Sequence, residues 1–159
     1  MSYYNKISYG YNELYEKEQN NKLNLIKSKI KIKNNSKLLD VGCGSGISSS
    51  FQCFVVGIDP SIELLKINNH KMKILGIAEA LPLKDKSFDY VISITAIHNF
   101  SDIKKSLNEI LRVGKNYFVF SILKKSKNFN EIRELINANL KVYCVIEEEK
   151  DTIFFCSRP

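Results

Sequence analysis

Three glycines at alternate positions, Gly42, Gly44 and Gly46, follow the apolar stretch Leu38-Leu39-Asp40-Val41. Glycine lets backbone approach a ligand closely, and a following helix N-terminus offers unpaired N–H groups, so a strand entering such a loop suits a polar ligand. Further on, Val55-Val56-Gly57-Ile58-Asp59 forms a second apolar run ending in a carboxylate. It lies about 20 residues after Asp40, the separation at which an acid accepts hydrogen bonds from both ribose hydroxyls. Charge-assisted bonds of that kind contribute ~1.5–3 kcal/mol each. The competing reading of Asp59 is an N-cap for the helix after Pro60-Ser61. His98 is the titratable group that can act as a base near the loop after the fourth strand, with an ordinary pKa of ~6.5. A histidine that only lines or caps the pocket is the alternative. His70, beside Asn68-Asn69, reads as a surface turn residue. Lys104-Lys105 and Lys124-Lys125 read as solvated faces or as phosphate contacts. No aromatic residues interleave with them as a single-strand-binding platform requires.

These groups need a scaffold, and the hydrophobic pattern supplies one. Residues 12–32 carry Leu14, Leu23, Leu25, Ile26 and Ile30 at roughly helical spacing, with a break expected near Asn20-Asn21. From residue 37 short apolar runs alternate with amphipathic stretches. The runs are Leu38–Val41, Cys53–Ile58, Met72–Ile77, Phe88–Ile94, Tyr117–Leu123, Val142–Ile146 and Ile153–Cys156. Helices are expected over Ser61–Asn68, Asp102–Arg112 and Phe129–Asn137. Their caps are Ser61 and Ser101 or Asp102, and Leu64, Leu65, Ile103, Leu107, Ile110 and Leu111 face inward. Strands buried on both faces and separated by helices make an α/β, doubly wound, seven-stranded and mostly parallel sheet. Residues 147–151 are too few for a crossover helix, so the last two strands form a C-terminal antiparallel hairpin. Residues 1–159 then make a single domain, with a helical segment over 1–36 and the sheet core over 37–159.

The 159 residues, 44% of them hydrophobic, can bury roughly 70% of the unfolded surface around one core. That apolar content excludes a disordered chain, and Gly 7 with Pro 3 excludes a collagenous one. No apolar run reaches the ~18–20 residues of a membrane span, and MSYYNKISYG has no signal-peptide core. The four cysteines form no C-x-x-C, which gives no metal site and no disulfide framework, and a reduced cytoplasmic setting is expected. The net charge of +7 is uneven: residues 1–37 carry +5, residues 38–90 carry −1 and residues 91–159 carry +3. Of the 24 basic residues 21 are Lys, a bias that codon usage of an AT-rich genome also produces.

The stretch Leu38-Leu39-Asp40-Val41-Gly42-Cys43-Gly44-Ser45-Gly46 resembles the first motif of class I S-adenosylmethionine-dependent methyltransferases. Gly57-Ile58-Asp59-Pro60-Ser61 is similar to their second motif. Residues 76–93, from Gly76-Ile77-Ala78-Glu79-Ala80 through Phe88-Asp89-Tyr90 to Ser93, resemble their third and fourth motifs. Tyr9-Gly10-Tyr11-Asn12-Glu13-Leu14-Tyr15 resembles the tyrosine-rich N-terminal segment of many members. The likeness runs along nearly the whole chain. Dinucleotide-binding enzymes share a related glycine loop, but four motifs in order set this chain apart from them.

The resemblance implies S-adenosyl-L-methionine as cofactor. Gly42, Cys43, Gly44 and Gly46 would pass beside its amino-acid part, with Asp40 near the ammonium. Asp59, followed by Pro60, would take the ribose hydroxyls. Ala78, with Ile77 or Glu79, would edge the adenine, and Ser93, Ile94 and Thr95 would border the methionine. Tyr11 or Tyr15 would cover the sulfonium or bind the carboxylate. Ile77 stands where the family often has Asp, which leaves Glu79 or backbone to meet the adenine amino group. Ile47–Gln52 is short for the helix after the first motif, so a single turn is expected there.

The acceptor should be read from Ser93-Ile94-Thr95-Ala96-Ile97-His98-Asn99-Phe100. No Asn/Asp-Pro-Pro-Tyr occurs, which counts against adenine N6 or glutamine amides, and no Pro-Cys stands there, which counts against pyrimidine C5. Residues 92–98 have some similarity to the guanine-N7 methyltransferase of eukaryotic small-subunit rRNA, whose acceptor nitrogen needs no general base. That enzyme works with a small zinc-binding activator protein, so the resemblance admits a similar partner. The seven strands and their helices use the whole chain and leave no substrate-capping domain. An RNA acceptor across an open face is therefore expected, with a quinone or metabolite, or a non-catalytic scaffold, as alternatives.

Overall fold

The computed structural model describes residues 9–159, with side chains from residue 13 onward. The chain divides into two compact units, Met1–Ile32 and Lys33–Pro159. The first holds helix α1 (Tyr9–Lys29), which ends on Lys27 and Lys29, cations that suit a helix C-terminus. The helix runs through Asn20-Asn21 without the expected break. Asn costs a helix well under 1 kcal/mol relative to Ala and, unlike Pro, removes no hydrogen bond.

The second unit is a sheet of seven strands: β1 (Lys37–Val41), β2 (Phe54–Asp59), β3 (Met72–Leu75), β4 (Phe88–Ile94), β5 (Gly114–Leu123), β6 (Lys141–Glu147) and β7 (Asp151–Ser157). Between them come α2 (Ile62–Ile67), α3 (Ile103–Val113) and α4 (Phe129–Asn139), with 3-10 turns over Ile47–Ser50 and Ile97–Asn99. The sheet order is β3-β2-β1-β4-β5-β7-β6. Strands β3, β2, β1, β4 and β5 are parallel, and β7 runs antiparallel to both neighbours. The expected hairpin is present, but its second strand inserts between β5 and β6. The side chains explain this choice. The first six residues of β7 are buried without alternation, whereas β6 alternates exposed with half-buried, as an edge strand does.

Leu39, Val91, Phe118, Phe120 and Phe155 centre the core, all sealed from solvent. Helix α3 starts on Asp102, whose carboxylate accepts from the Lys105 N–H, and buries Ile103, Leu107 and Ile110 against the sheet. Helix α2 has only six residues and buries Leu65 alone; Leu64, expected to face inward, is exposed. The connection after β1 is a single turn, as its length implied.

The topology itself locates a crevice. From β1 the chain moves outward through β2 and β3, then returns to place β4 on the other side of β1. At such a switch point the connections leave the carboxyl ends of adjacent strands in opposite directions, and a ligand fits between them.

Candidate functional site

The loop leaving β1 lies at that crevice. Gly42, Gly44 and Gly46 have φ of 78°, 51° and 90°, in the left-handed region. Gly42 allows the closest approach in the site: a Cβ there would stand 2.5 Å from the Ala96 Cβ, on the loop after β4. At Gly46 a Cβ would meet the Asn68 side chain at 2.6 Å, whereas at Gly44 it would find only Leu64 at 3.9 Å. The open side of the loop is thus at Gly44. The loop is fixed from below: the N–H groups of Gly42 and Cys43 donate to the Ile58 carbonyl, and Asn68 Nδ2 donates to the Gly44 carbonyl at 2.8 Å.

Asp59 closes the end of β2. Its Oδ2 accepts from the Gly44 N–H at 2.9 Å and its Oδ1 from the Ser61 N–H at 2.8 Å. The N-cap reading of this residue is therefore met in part. The carboxylate steadies the turn into α2, while Ser61, whose Oγ accepts from Leu64, is the actual cap. Each oxygen still has a lone pair for a ligand hydroxyl. Pro60 follows, exposed.

Asp40 is buried under the same loop. Burial and the nearby Asp59 raise its carboxyl, against a hydrogen bond from Ser48 that lowers it, to a pKa of about 7. Ser48 Oγ is 2.5 Å from Asp40 Oδ2 and 2.9 Å from His70 Nε2. His70, expected on the surface, is buried; its N–H donates to Asn68 Oδ1 at 2.7 Å. The Asn-Asn-His stretch looks like a turn because it is one, but the turn folds inward, and nothing in the local sequence marks that. Cys43 is buried too, and burial with Asp40 and Asp59 pushes its thiol far above the ordinary range. It stays protonated and is no nucleophile.

On the third side, Gly76-Ile77-Ala78-Glu79 leaves β3, with the Gly76 N–H on the Asp59 carbonyl. Ile77 is half exposed and Ala78 buried. Glu79 Oε1 accepts from the Ser101 and Asp102 N–H groups at 2.8 and 3.1 Å. The rest of this helix-free segment is held by α3. Arg112 donates to the carbonyls of Leu81 and Leu83 and to Asp85, and Glu109 accepts from the Leu81 N–H.

At the end of β4, Ser93 and Ile94 are buried in the sheet. Thr95 has φ of 53°, unusual for a β-branched residue. Its N–H donates to Ser121, and its Oγ1 lies 2.9 Å from Oδ2 of the buried Asp151. Asp151 follows a Glu-Glu-Glu-Lys run that reads as a solvated turn, which hid this role. His98 sits in the next 3-10 turn, its carbonyl accepting from Asn128 Nδ2 at 3.0 Å. It borders an open cleft of about 530 Å³ lined also by Phe100, Asp102, Lys127, Asn128 and Glu131. Tyr15 is on α1 in the N-terminal unit, half exposed. Tyr11 is on the same helix, and its side chain lies outside the described residues.

A glycine loop on β1, an acid ending β2 and a crevice between β1 and β4 are what a nucleoside bearing an amino acid requires. The profile of the methyltransferase domain matches residues 39–120, just over half of the chain. The chain belongs to that family. Its class is that of the S-adenosylmethionine-dependent enzymes, and the site fits the cofactor. Asp59 offers lone pairs at the end of β2, the Gly44 side of the loop is open, and Asp40 Oδ1 is a buried acceptor with no partner among the described residues. Relatives of this methyltransferase domain differ in what their names say they act on. An uncharacterized protein of Methanocaldococcus jannaschii is 33% identical over 147 residues, covering 87% of this chain and 56% of the relative. The ubiquinone biosynthesis O-methyltransferase of Pelagibacter ubique is 33% identical, covering 65% and 49%. The tRNA (carboxymethyluridine(34)-5-O)-methyltransferase of Arabidopsis thaliana is 37% identical, covering 50% and 22%. The chain thus spans about half, or less, of the length of these curated relatives. Among solved structures, a Pyrococcus horikoshii protein has the same fold, with a TM-score of 0.75 at 19% identity over 96% of this chain and 92% of that one.

Proposed function

We propose that this domain transfers a methyl group from S-adenosylmethionine to RNA, with a base as the acceptor. The observation that carries the cofactor half is the Asp59 carboxylate bound to the Gly44 N–H, which ties the ribose-binding acid to the glycine loop. When bound, the cofactor supplies a methyl group activated by a sulfonium. The chain's own residues hold and orient it. Asp59 takes the ribose hydroxyls, the Gly42–Gly46 loop carries the amino-acid part, and Asp40 meets its ammonium. Ile77 and Ala78 edge the adenine. The tight approach of Gly42 to Ala96 fixes the β4 loop, so Ile94 and Thr95 border the methionine. Positioning of this kind supplies up to ~7–11 kcal/mol in favourable cases. His98 borders the cleft on the acceptor side, where it orients the acceptor or takes its proton.

The acceptor half of the reading rests on the shape and rim of that cleft. It is open; Lys104 and Lys105 are exposed in the first turn of α3, and Lys125 and Lys127 are exposed on the connection from β5 to α4. A specific observation favours a second reading, a small polar acceptor: the lining itself holds Asp102 and Glu131 against Lys127. Transfer of labelled methyl into separated RNA, protein and small-molecule fractions tests both. Label in RNA that falls steeply with salt is the expected result. Label confined to small molecules overturns the RNA reading.

A further inference from the structure

Behind the glycine loop, Ser48 and His70 form with Asp40 a chain of polar groups sealed from solvent. The direction of its hydrogen bonds follows from chemistry. An ionised carboxylate only accepts, so the Ser48 hydroxyl donates to Asp40 Oδ2, and the His70 Nε2–H must donate to Ser48 Oγ. His70 is then neutral with its proton on Nε2. Burial, and Lys73 nearby, lower its pKa and favour the neutral imidazole. The order is the reverse of a Ser-His-Asp hydrolase, in which the imidazole accepts from serine and donates to the carboxylate. Ser48 is not set up as a nucleophile.

What the chain does is fix a carboxylate. Two donated bonds in series polarise one another and end on Oδ2, while Oδ1 stays buried with no partner among the described residues. The same chain is tied to the loop: Asn68 accepts from the His70 N–H and donates to the Gly44 carbonyl. The titratable groups facing Asp40 are Asp59 from β2, Cys43 from the loop and, through Ser48, His70. Lys73, beside His70, spends its ammonium on the Leu65 and Asn68 carbonyls.

We infer that Ser48 and His70 are positioning residues that favour the ionised form of Asp40 against its burial and present its Oδ1 to the cationic amino-acid head of S-adenosylmethionine. The inference rests on the cofactor reading given above.

The test uses the full chain and S-adenosylhomocysteine, which carries the same head and no transferable methyl. Calorimetric affinity should rise about tenfold between pH 6 and pH 8 as Asp40 ionises. Ser48→Ala should weaken binding at pH 8 by roughly tenfold or more, the loss of one bond to a charged group. It should also move the midpoint of the profile to higher pH. His70→Leu should behave alike, and His70→Gln, which keeps an N–H donor, should restore much of the affinity. A measurement on the unaltered protein stands independently of how the variants fold: nitrogen-15 spectra at pH 8, where Asp40 is mostly ionised, should show His70 neutral with its proton on Nε2. A proton on Nδ1, or unchanged affinity and midpoint in Ser48→Ala and His70→Leu, overturns the inference alone. Failure of the unaltered protein to bind S-adenosylhomocysteine at any pH overturns the cofactor reading with it.

Discussion

Asp59 holds the Gly44 N–H with one oxygen and the Ser61 N–H with the other, so it shapes the loop as well as offering acceptors to a ligand. Asp59→Asn should fold, because the amide keeps one acceptor. It should lose roughly tenfold or more in cofactor affinity, in line with ~1.5–3 kcal/mol per bond to a charged group. The glycines separate structure from binding. Gly42→Ala puts a methyl 2.5 Å from Ala96 at a φ of 78° and should cost on the order of 2–4 kcal/mol, read as a lower melting temperature. Gly44→Ala meets only Leu64 at 3.9 Å, so it should cost about 1–2 kcal/mol of backbone strain yet lose most cofactor binding. Equal behaviour of the two variants would contradict the open side assigned to Gly44. Asp59 and the glycines were legible in the sequence because strand, spacing and residue type coincide. Ser48, His70 and Asp151 were not. A serine in a serine-rich turn, a histidine after two asparagines and an acid after three glutamates all carry surface signatures, and only tertiary folding buries them.

At the scale of elements, the segment between β3 and β4 has no helix of its own and relies on α3. Arg112 and Glu109 grip residues 81–85, and Glu79 ties the same segment to the start of α3. Arg112→Ala should leave the sheet intact and release this segment. Amide exchange over residues 80–87 should quicken roughly ten- to a hundredfold, the equivalent of ~1.5–3 kcal/mol of local stability. Uniform protection in the variant would contradict the role given to Arg112. The strands themselves were readable from their apolar runs, with β4 matching the expected Phe88–Ile94. The insertion of β7 was harder to see, since pairing partners depend on which strand is buried on both faces. The run Ile153-Phe154-Phe155-Cys156 was the available signal. The start of β5 at Gly114 was missed because one glycine both ends α3 and opens the strand.

For the whole molecule, the buried Asp40 ties stability to pH. Its folded pKa of about 7 lies above the ordinary value of 3.8, so the folded cofactor-free protein binds the extra proton. Its contribution to stability therefore falls as pH rises from about 4 to about 7 and is level above that, a loss on the order of 4 kcal/mol. Asp40→Asn should remove this slope in urea unfolding, making the cofactor-free variant the more stable form at pH 8 while weakening cofactor binding. A parallel pH dependence in the two proteins would contradict the burial argument. The charge of the molecule fits the same division. The part that builds the cofactor site carries −1 within a chain of +7, which suits a cationic ligand. None of the described helices is long and apolar enough to cross a membrane. The central claim, that the β1–β4 crevice holds S-adenosylmethionine through Asp59, is tested most directly by calorimetric titration of the cofactor into the unaltered protein and into Asp59→Ala. The account predicts saturable one-to-one binding to the first and none to the second. Absence of binding to the unaltered protein, or equal affinity for both, would contradict it.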